Sequence, residues 1–398
     1  MPFGRKIEVK KSKYEIDMCS GSIMDKLISF SLPLMLSGIL QLMFNAVDII
    51  VVGRFSGSEA LAAVGSTTAL ISMFTNLFIG VSLGTSVLTA RFYAAGRDQE
   101  VSETVHTSIM LALLSGILMV FVGLFFSRGA LELMDTPDDV IDLSTLYMKI
   151  YFVGMPFFML YNYGAAVLRA VGDTKRPLFF LIISGVLNAG LNLFLVVVFH
   201  MGVAGVGIAT VISQMVSCVL VLICLYRAES SYQLRLSKLT MKGVYLKQIF
   251  QVGVPAGIQS TVINFSNVLL QSSVNSFGSI AMAGYTAANN LLGFLYASVN
   301  SITQACMSFT SQNYGVGKFK RMDRVLIDCA IISVVFAGTL GTIFYVFGSE
   351  ILQIYTKDPE VIKAGMEIIS ITTIPYFLCG IMDTMVGGLR GLGYSVVP

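Results

Sequence analysis

The sequence predicts an all-α integral membrane protein with two parallel lobes of six helices each. The chain has 398 residues, of which 55% are hydrophobic and only 12% are charged. A soluble domain carries about twice that charged fraction. The apolar residues form runs of about 20 residues or more, the length that crosses the hydrocarbon core of a bilayer. Because backbone groups in lipid must be hydrogen-bonded internally, continuous apolar runs of this length predict helices.

Ten apolar runs follow one another along the chain, and we predict that each is a membrane span. They cover roughly residues 27–52, 59–90, 101–126, 140–168, 178–199, 202–226, 247–276, 280–311, 325–348 and 360–389. The predicted domains are a cytoplasmic N-terminal segment at 1–26, an N-lobe of spans 1–6 at 27–226, a cytoplasmic connector at 227–246 and a C-lobe of spans 7–10 at 247–398.

The basic residues predict how these spans are oriented. Of the 26 Lys and Arg residues, 21 fall in segments on the same side of the membrane as the N-terminus, and five fall on the other side. Cytoplasmic loops carry the excess of positive residues in multi-pass proteins. We therefore predict a multi-pass protein of the cytoplasmic (inner) cell membrane with its N-terminus in the cytoplasm.

The second half of the chain repeats the first at an offset of about 221 residues. Pro33 matches Pro255, "RFYAAGR" matches "QNYGVGK", and "VLRAVGDTKRP" matches "GLRGLGYSVVP", in the same order. An even number of spans in the first unit makes the two halves parallel repeats. Two spans follow the last motif in the first half. By symmetry we expect twelve spans in the complete protein, with about ten present here and spans 11 and 12 missing from this chain.

Polar side chains recur at helical spacing in four of the spans. In span 1, Gln41, Asn45 and Asp48 lie on one face of the helix. A single buried amide often joins two helices, at about 0.6 kcal/mol, so that alternative stays open for each residue alone. Four such stripes together predict a hydrated substrate cavity, to which we assign Asn45, Ser184, Asn264, Asn267, Gln271, Asn300, Gln304 and Asp383.

Two acids, Asp48 and Asp383, lie well inside predicted spans. A carboxylate near the bilayer centre costs about 2.5–3.5 kcal/mol even on insertion scales, so such residues are usually functional. For Asp48 we predict a coupling site that carries a proton, or binds Na⁺ when ionised. A carboxylate that neighbouring donors stabilise, with no transport role, is the alternative. For Asp383 both readings stay open.

The remaining composition indicates no catalytic or cofactor site. His106 and His200 stand apart at segment edges, five of the six cysteines fall inside apolar runs, and none forms a CxxC pair. We therefore expect no enzyme activity and no cofactor beyond H⁺ or Na⁺ as the coupling ion. The expected partners are the lipid bilayer and a small amphipathic or cationic molecule, with no nucleic acid, and the expected state is a monomer.

Several motifs resemble those of multidrug and toxic compound extrusion (MATE) transporters. They are "PLMLSGILQLMFNAVDIIVVG", "LAAVG" and the pair "LRAVGDTKRP" and "LRGLGYSVVP", and the resemblance extends from about Asp25 to Pro398. It implies a secondary active antiporter that exports amphipathic or cationic compounds while H⁺ or Na⁺ enters, by alternating access between the lobes. The alternative is a lipid-linked oligosaccharide or polysaccharide flippase of the same superfamily. Such a flippase is expected to have several basic residues deep in its spans, and this chain has none there.

The resemblance also implies a cation-coupling site in the N-lobe. It assigns Asp48 as its centre, Gln41 to the same face, Asn188 and Asn192 to span 5, and Thr210 to span 6. Many relatives carry Asp followed by Pro where this chain has Asn192 and Leu193. The missing acid and proline leave the identity of the ion, its stoichiometry and the bending of this helix open.

Overall fold

The computed structural model describes residues 13–134, 136–354 and 356–398, without the side chains of Ser58, Ala69, Val268, Gln271, Ser272, Asn275 and Ser279. The described residues form twelve α-helices and no strands. The helices are α1 (Ile23–Phe55), α2 (Gly57–Ala94), α3 (Asp98–Glu132), α4 (Asp138–Val153), α5 (Met155–Ala170), α6 (Lys175–Asn192), α7 (Gly202–Tyr226), α8 (Gly243–Asn275), α9 (Ser279–Gly315), α10 (Phe319–Leu352), α11 (Pro359–Thr373) and α12 (Tyr376–Leu392).

The helices agree with most of the predicted spans. In the described part of the chain, six helices are long and apolar enough to cross a membrane, and the pairs α4/α5 and α11/α12 meet the same test as two bent spans. The protein is therefore a multi-pass membrane protein. The other two predicted spans correspond to α8 and α9, which have 33 and 37 residues. Both helices carry amide and hydroxyl side chains, which lower their hydropathy, so their assignment as spans stays a prediction.

Two predicted spans are each broken into a pair of helices. Span 4 bends by 47° between α4 and α5, and span 10 bends by 51° between α11 and α12. The breaks lie at Gly154 and Pro375, and Pro156 follows the first of them. Proline lacks an N–H group and interrupts the hydrogen bonds of a continuous helix, but it fits the first turn of a new one. The hydrophobic runs alone gave no sign of these bends.

The internal repeat is present in the backbone. Glycines with positive φ end or begin helices at Gly57, Gly96 and Gly172, and they recur at Gly278, Gly317 and Gly393. The two helix breaks are separated by the same offset of about 221 residues. The chain therefore consists of two parallel repeats, which we call the N-lobe (α1–α7) and the C-lobe (α8–α12).

The lobes meet along α2 and α8 through small residues. Gly80 of α2 lies against the backbone of Gly257, and Gly253 of α8 lies against the backbone of Val81. The absence of side chains at these glycines lets the two helices approach closely, as is common for helices in membranes. Further along the interface, α1 packs on α9 where Gly38 faces Ala297. This arrangement leaves the polar face of α1 next to α6 and α7, where the candidate site lies.

Candidate functional site

A cavity of about 330 Å³ lies inside the N-lobe, between α1 and helices α4 to α7. The predicted residues that line it are Gln41, Asn45, Asp48, Ser184, Asn188 and Thr210. Gln41 and Asn45 are exposed, whereas Ser184 and Asn188 are buried. The polar stripe of α1 therefore forms the open side of the cavity, and the stripe of α6 forms its inner wall.

Four of the five residues of the predicted coupling site form one hydrogen-bonded chain across three helices, whereas Gln41 lines the cavity outside that chain. Asn192 on α6 donates through Nδ2 to Asp48 Oδ1 on α1 and to Asn188 Oδ1 at 3.2 Å. Asn188 Nδ2 donates in turn to Thr210 Oγ1 on α7 at 3.5 Å. The Thr210 hydroxyl donates to the carbonyl oxygen of Val206 at 2.9 Å. The chain thus links the single acid of the cavity to the hydroxyl of Thr210.

The side-chain amide of Asn192 is fully buried, and its nitrogen forms hydrogen bonds whereas its oxygen does not. Nδ2 makes both hydrogen bonds described above, and Oδ1 has no partner in the described part of the chain. Buried polar atoms are nearly always paired with protein or with ordered water. The free amide oxygen of Asn192 is therefore an acceptor that a water molecule or a protonated group can pair with.

The wall of the cavity contains no fixed positive charge. The described residues that line it are mostly aromatic, amide, hydroxyl and aliphatic, none is Lys or Arg, and Asp48 is the one carboxylic acid among them. An ionised carboxylate in such surroundings is stable only if a cation neutralises it or donors stabilise it. The single donor from Asn192 stabilises one oxygen atom. The remaining negative charge favours a bound cation at this position.

Comparison with known proteins decides the family. The family model described as MatE matches residues 33–194 and 255–398, which is most of both lobes. The chain belongs to the MatE family. The match covers each of the two repeats separately, in agreement with the parallel lobes of the fold.

Curated relatives and solved structures agree with this membership. The MatE chain is 30% identical to a probable multidrug resistance protein, YoeA, of Bacillus subtilis, over 93% of this chain and 81% of the relative. It is 27% identical to the probable multidrug resistance protein NorM of Thermotoga maritima, over 94% and 82%. A solved outward-facing multidrug resistance MATE transporter superposes with a TM-score of 0.90 at 21% identity, over 98% of this chain and 87% of that structure.

The cavity of this MatE chain has an aromatic wall that the polar stripes did not predict. Tyr147 and Tyr151 of α4 line it, with their ring centroids 6.1 Å apart and their planes tilted by 45°. Tyr161 of α5 lines it as well, and its hydroxyl donates to the carbonyl oxygen of Pro177 at 3.2 Å. Flat rings with a polar edge suit amphipathic ligands. The spacing of Tyr147 and Tyr151, one helical turn apart, was the available signal.

A second set of missed residues lies on α7. Ser213, Gln214 and Ser217 line the cavity together with Thr210. Their spacing of three, four and seven residues places them on one helical face. The helical spacing that predicts the stripe of α1 therefore also identifies this stripe in span 6.

The helix that carries Asn188 and Asn192 changes its geometry directly after the site. α6 ends at Asn192 and continues as a π-helical stretch, Leu193–Val198. π-Helical turns are rare and frequently mark functional sites. This chain therefore departs from regular α-helix at Leu193, directly after the hydrogen-bonded Asn192.

The predicted cavity residues of the C-lobe are not joined to the Asp48 chain. Asn264 Nδ2 donates to the carbonyl oxygen of Ser260 in its own helix at 2.9 Å. On α9, Gln304 Nε2 donates to Asn300 Oδ1 at 3.0 Å, and Asn300 Nδ2 donates to the hydroxyl of Tyr296 at 3.1 Å. In each of these bonds, the donor and the acceptor belong to the same helix.

The other predicted C-lobe residues are also separate from the N-lobe site. Asn267 is exposed, and the side chain of Gln271 lies outside the described residues. Asp383 is half-buried on α12, and Arg390 of the same helix donates to Gln259 Oε1 on α8. The C-lobe therefore has polar groups on three helices, but among the described residues they form no counterpart of the chain from Asp48 to Thr210.

Proposed function

We propose that this MatE chain is a secondary active antiporter that exports amphipathic or cationic small molecules across the cell membrane. Influx of H⁺ or Na⁺ drives the export, and the lobes alternate between an outward-facing and an inward-facing arrangement. The excess of basic residues, 21 of 26, on the N-terminal side supports a cytoplasmic location of that side. The transporter acts as a monomer, because each chain carries its own complete cavity.

One observation carries the proposal, and it is the bond between Asn192 and Asp48 inside the N-lobe cavity. A carboxylate within a membrane-spanning helix is expensive to maintain without a purpose. Here it faces a cavity without Lys or Arg, so a cation from solution or from the substrate can neutralise it. If the coupling ion and a cationic substrate compete for Asp48, binding of one releases the other, and the two are exchanged across the membrane.

Binding of the coupling ion would act on the packing of α1. Asp48 lies on α1, and its hydrogen-bond partner lies on α6. From there the hydrogen bonds continue through Asn188 to Thr210 on α7. Neutralisation of the carboxylate removes the charge that Asn192 stabilises, so the contact between α1 and α6 weakens. One charge that crosses a potential of about 100 mV supplies about 2.3 kcal/mol, which supports a gradient of roughly 50-fold.

The proposal is tested with purified protein in proteoliposomes that contain a fluorescent cationic dye. A Na⁺ gradient and a pH gradient are imposed separately, and one of them is expected to drive dye transport. Asp48→Asn should abolish the driven component, and Asp383→Asn, a matched acid in the other lobe, should retain it. Driven transport that persists in Asp48→Asn would contradict the proposal. Transport lost only in Asp383→Asn would place the coupling in the C-lobe instead.

A further inference from the structure

A short segment before α1 crosses the end of the molecule where the basic residues cluster. We call residues 14–21 the N-terminal strap. Its first part binds the N-lobe through Glu15, whose carboxylate oxygens accept hydrogen bonds from the hydroxyls of Tyr93 and Tyr232, both at 2.7 Å. Burial, and then the bond to Glu15, raise the pKa of Tyr232, so its hydroxyl stays protonated and donates.

The backbone of the N-lobe is shaped to receive the strap. The N–H group of Ile16 donates to the carbonyl oxygen of Gly172 at 3.2 Å. Gly172 has a φ of +97°, and the backbone of Ile16 occupies the space that a β-carbon at Gly172 would need. The equivalent glycine of the C-lobe, Gly393, has a φ of +95° but faces Arg91 instead. Only the N-lobe therefore has this seat for an extended segment.

The second part of the strap is held by the C-lobe. Met18 is fully buried and packs in a cluster with Phe30 of α1 and Phe309 of α9. The guanidinium group of Arg321, at the start of α10, donates to three strap carbonyl oxygens, those of Met18 at 3.2 Å, Ser20 at 2.8 Å and Gly21 at 2.9 Å.

Two more C-lobe side chains donate to carbonyl groups of the strap. Lys318 Nζ donates to Cys19 O at 2.8 Å, and Asn313 Nδ2 donates to Met18 O at 3.1 Å. Five hydrogen bonds from the C-lobe thus end on the strap backbone. Because most come from charged donors, they are stronger than bonds between neutral groups.

The strap lies where the lobes touch directly. At the same end, Ser311 of α9 donates to the carbonyl oxygen of Val87 at 2.6 Å, and Gln312 donates to that of Ala170 at 2.7 Å. The strap continues into α1, which belongs to the N-lobe. If the lobes part at this end and the strap stays with the N-lobe, its bonds to Arg321, Lys318 and Asn313 break, and Met18 loses its contacts with the C-lobe residues of its cluster.

We propose that the N-terminal strap is a latch that holds the basic end of the transporter closed until the lobes part there. This inference rests on the proposed alternating access, because a protein with fixed lobes has no use for a latch. The latch releases at its C-lobe side. Arg321 is only partly buried, so water replaces the strap carbonyls as its partners without leaving a charge in an apolar core.

Distance measurements between the lobes test the latch. Spin labels at Gln99 of α3 and Asp323 of α10, both exposed at the basic end, report the separation by pulsed electron resonance in lipid nanodiscs. The labels are attached in a background without native cysteines, and neither substrate nor an ion gradient is present. Arg321→Ala removes three charged hydrogen bonds and should raise the ratio of long to short distances about tenfold or more.

The matched control is Lys320→Ala, which removes one positive charge next to Arg321. Lys320 is exposed and makes no hydrogen bond or ion pair in the described part of the chain. The control should leave the distances unchanged. If Arg321→Ala fails to fold, Arg321→Lys is measured instead. Lysine keeps the positive charge but cannot donate to all three carbonyl oxygens in the same geometry, so a smaller shift in the same direction is expected.

Two results would overturn the latch. One is an unchanged distance distribution in the folded Arg321 variant, and the other is an equal shift in the Lys320 control. Neither depends on ion coupling, since the measurement reads distance alone. Driven transport that is absent from the unaltered protein, or that persists in Asp48→Asn, would therefore count against the proposed function and not against the latch.

Discussion

The ring of Phe44 on α1 occupies the space that a β-carbon on Gly185 of α6 would need. Both residues line the N-lobe cavity. Phe44 lies one helical turn before Asp48, and Gly185 lies about two turns before Asn192. The close approach of α1 and α6 at this point therefore sets the distance across which Asn192 reaches the carboxylate.

A side chain at position 185 is expected to separate the two helices. Gly185→Ala would place a methyl group against the ring of Phe44, and overpacking of this kind typically costs about 1–3 kcal/mol. We expect ion-driven transport to fall at least about tenfold, because the bond between Asn192 and Asp48 lengthens. Transport in proteoliposomes and the melting temperature of the purified protein are the measurements.

The same helix offers a matched control for this substitution. Gly190 of α6 has no atom within 4 Å of the place where its β-carbon would lie. Alanine is about 1 kcal/mol more favourable than glycine inside a helix, so Gly190→Ala should keep or raise stability and keep transport. Equal losses in the two variants would show that helix α6 tolerates no alanine, and the argument from Phe44 would fail.

Removal of the amide at Asn192 should change the affinity for the coupling ion without unfolding the protein. Asn192→Leu keeps the approximate volume but removes the donor to Asp48 and to Asn188. A hydrogen bond to a charged group contributes about 1.5–3 kcal/mol, so the affinity for the coupling ion should change by roughly 10-fold or more. The measurement is the dependence of transport rate on ion concentration. Asn264→Leu, which removes an amide bonded only within α8, should leave that dependence unchanged.

The contact of Arg91 with the C-lobe should contribute to stability. Arg91 Nη2 donates to the carbonyl oxygen of Leu392 at 2.9 Å, and its guanidinium carbon lies 4.6 Å from the ring centroid of Tyr314. Arg91→Ala should lower the free energy of unfolding by about 1.5–3 kcal/mol, measured as thermal stability in detergent. Arg97→Ala removes an exposed arginine paired with Glu100, for which an effect below about 1 kcal/mol is expected. A larger loss from Arg97 would contradict this reading.

His106 should hold the connector between the lobes in place. Its Nε2 accepts a hydrogen bond from the backbone N–H of Arg235 at 3.0 Å, and its Nδ1 lies 2.6 Å from the carbonyl oxygen of Ser102. His106→Ala removes about 1 kcal/mol of this attachment, so the connector should open about fivefold more often. Trypsin cleavage at the exposed Arg235 and Lys238 should accelerate accordingly. His200→Ala, at an exposed position, should leave the cleavage rate unchanged.

The helix plan and the repeat could be predicted from the sequence because both depend on local patterns. Apolar run length is set by bilayer thickness, and the glycines and prolines of the loops recur at a constant offset. The bends at Gly154 and Pro375 were missed because hydropathy averages over about 20 residues. A bend depends on single prolines and on how neighbouring helices pack, as where Gly116 of α3 lies against Pro156.

The candidate site was predictable only in part. The face shared by Gln41, Asn45 and Asp48 follows from helical periodicity, but which helices stand opposite that face is a property of tertiary packing. The resemblance supplied Asn188, Asn192 and Thr210, and the structure brings them together with Asp48. The cavity role of the C-lobe stripe stays a prediction, because its hydrogen bonds have another explanation. Amides spaced four residues apart, such as Asn300 and Gln304, can bond to each other along one helix and need no cavity.

The two halves of the parallel repeat differ at the position of Asp48. Counting along the repeat, Leu269 and Leu270 stand where the first half has Asp48. The two halves share a backbone plan, but only the first has an acid at that level of the membrane. If an ion binds at Asp48 as proposed, its effect begins in the N-lobe and can reach the C-lobe through the close, glycine-lined contact of α2 with α8.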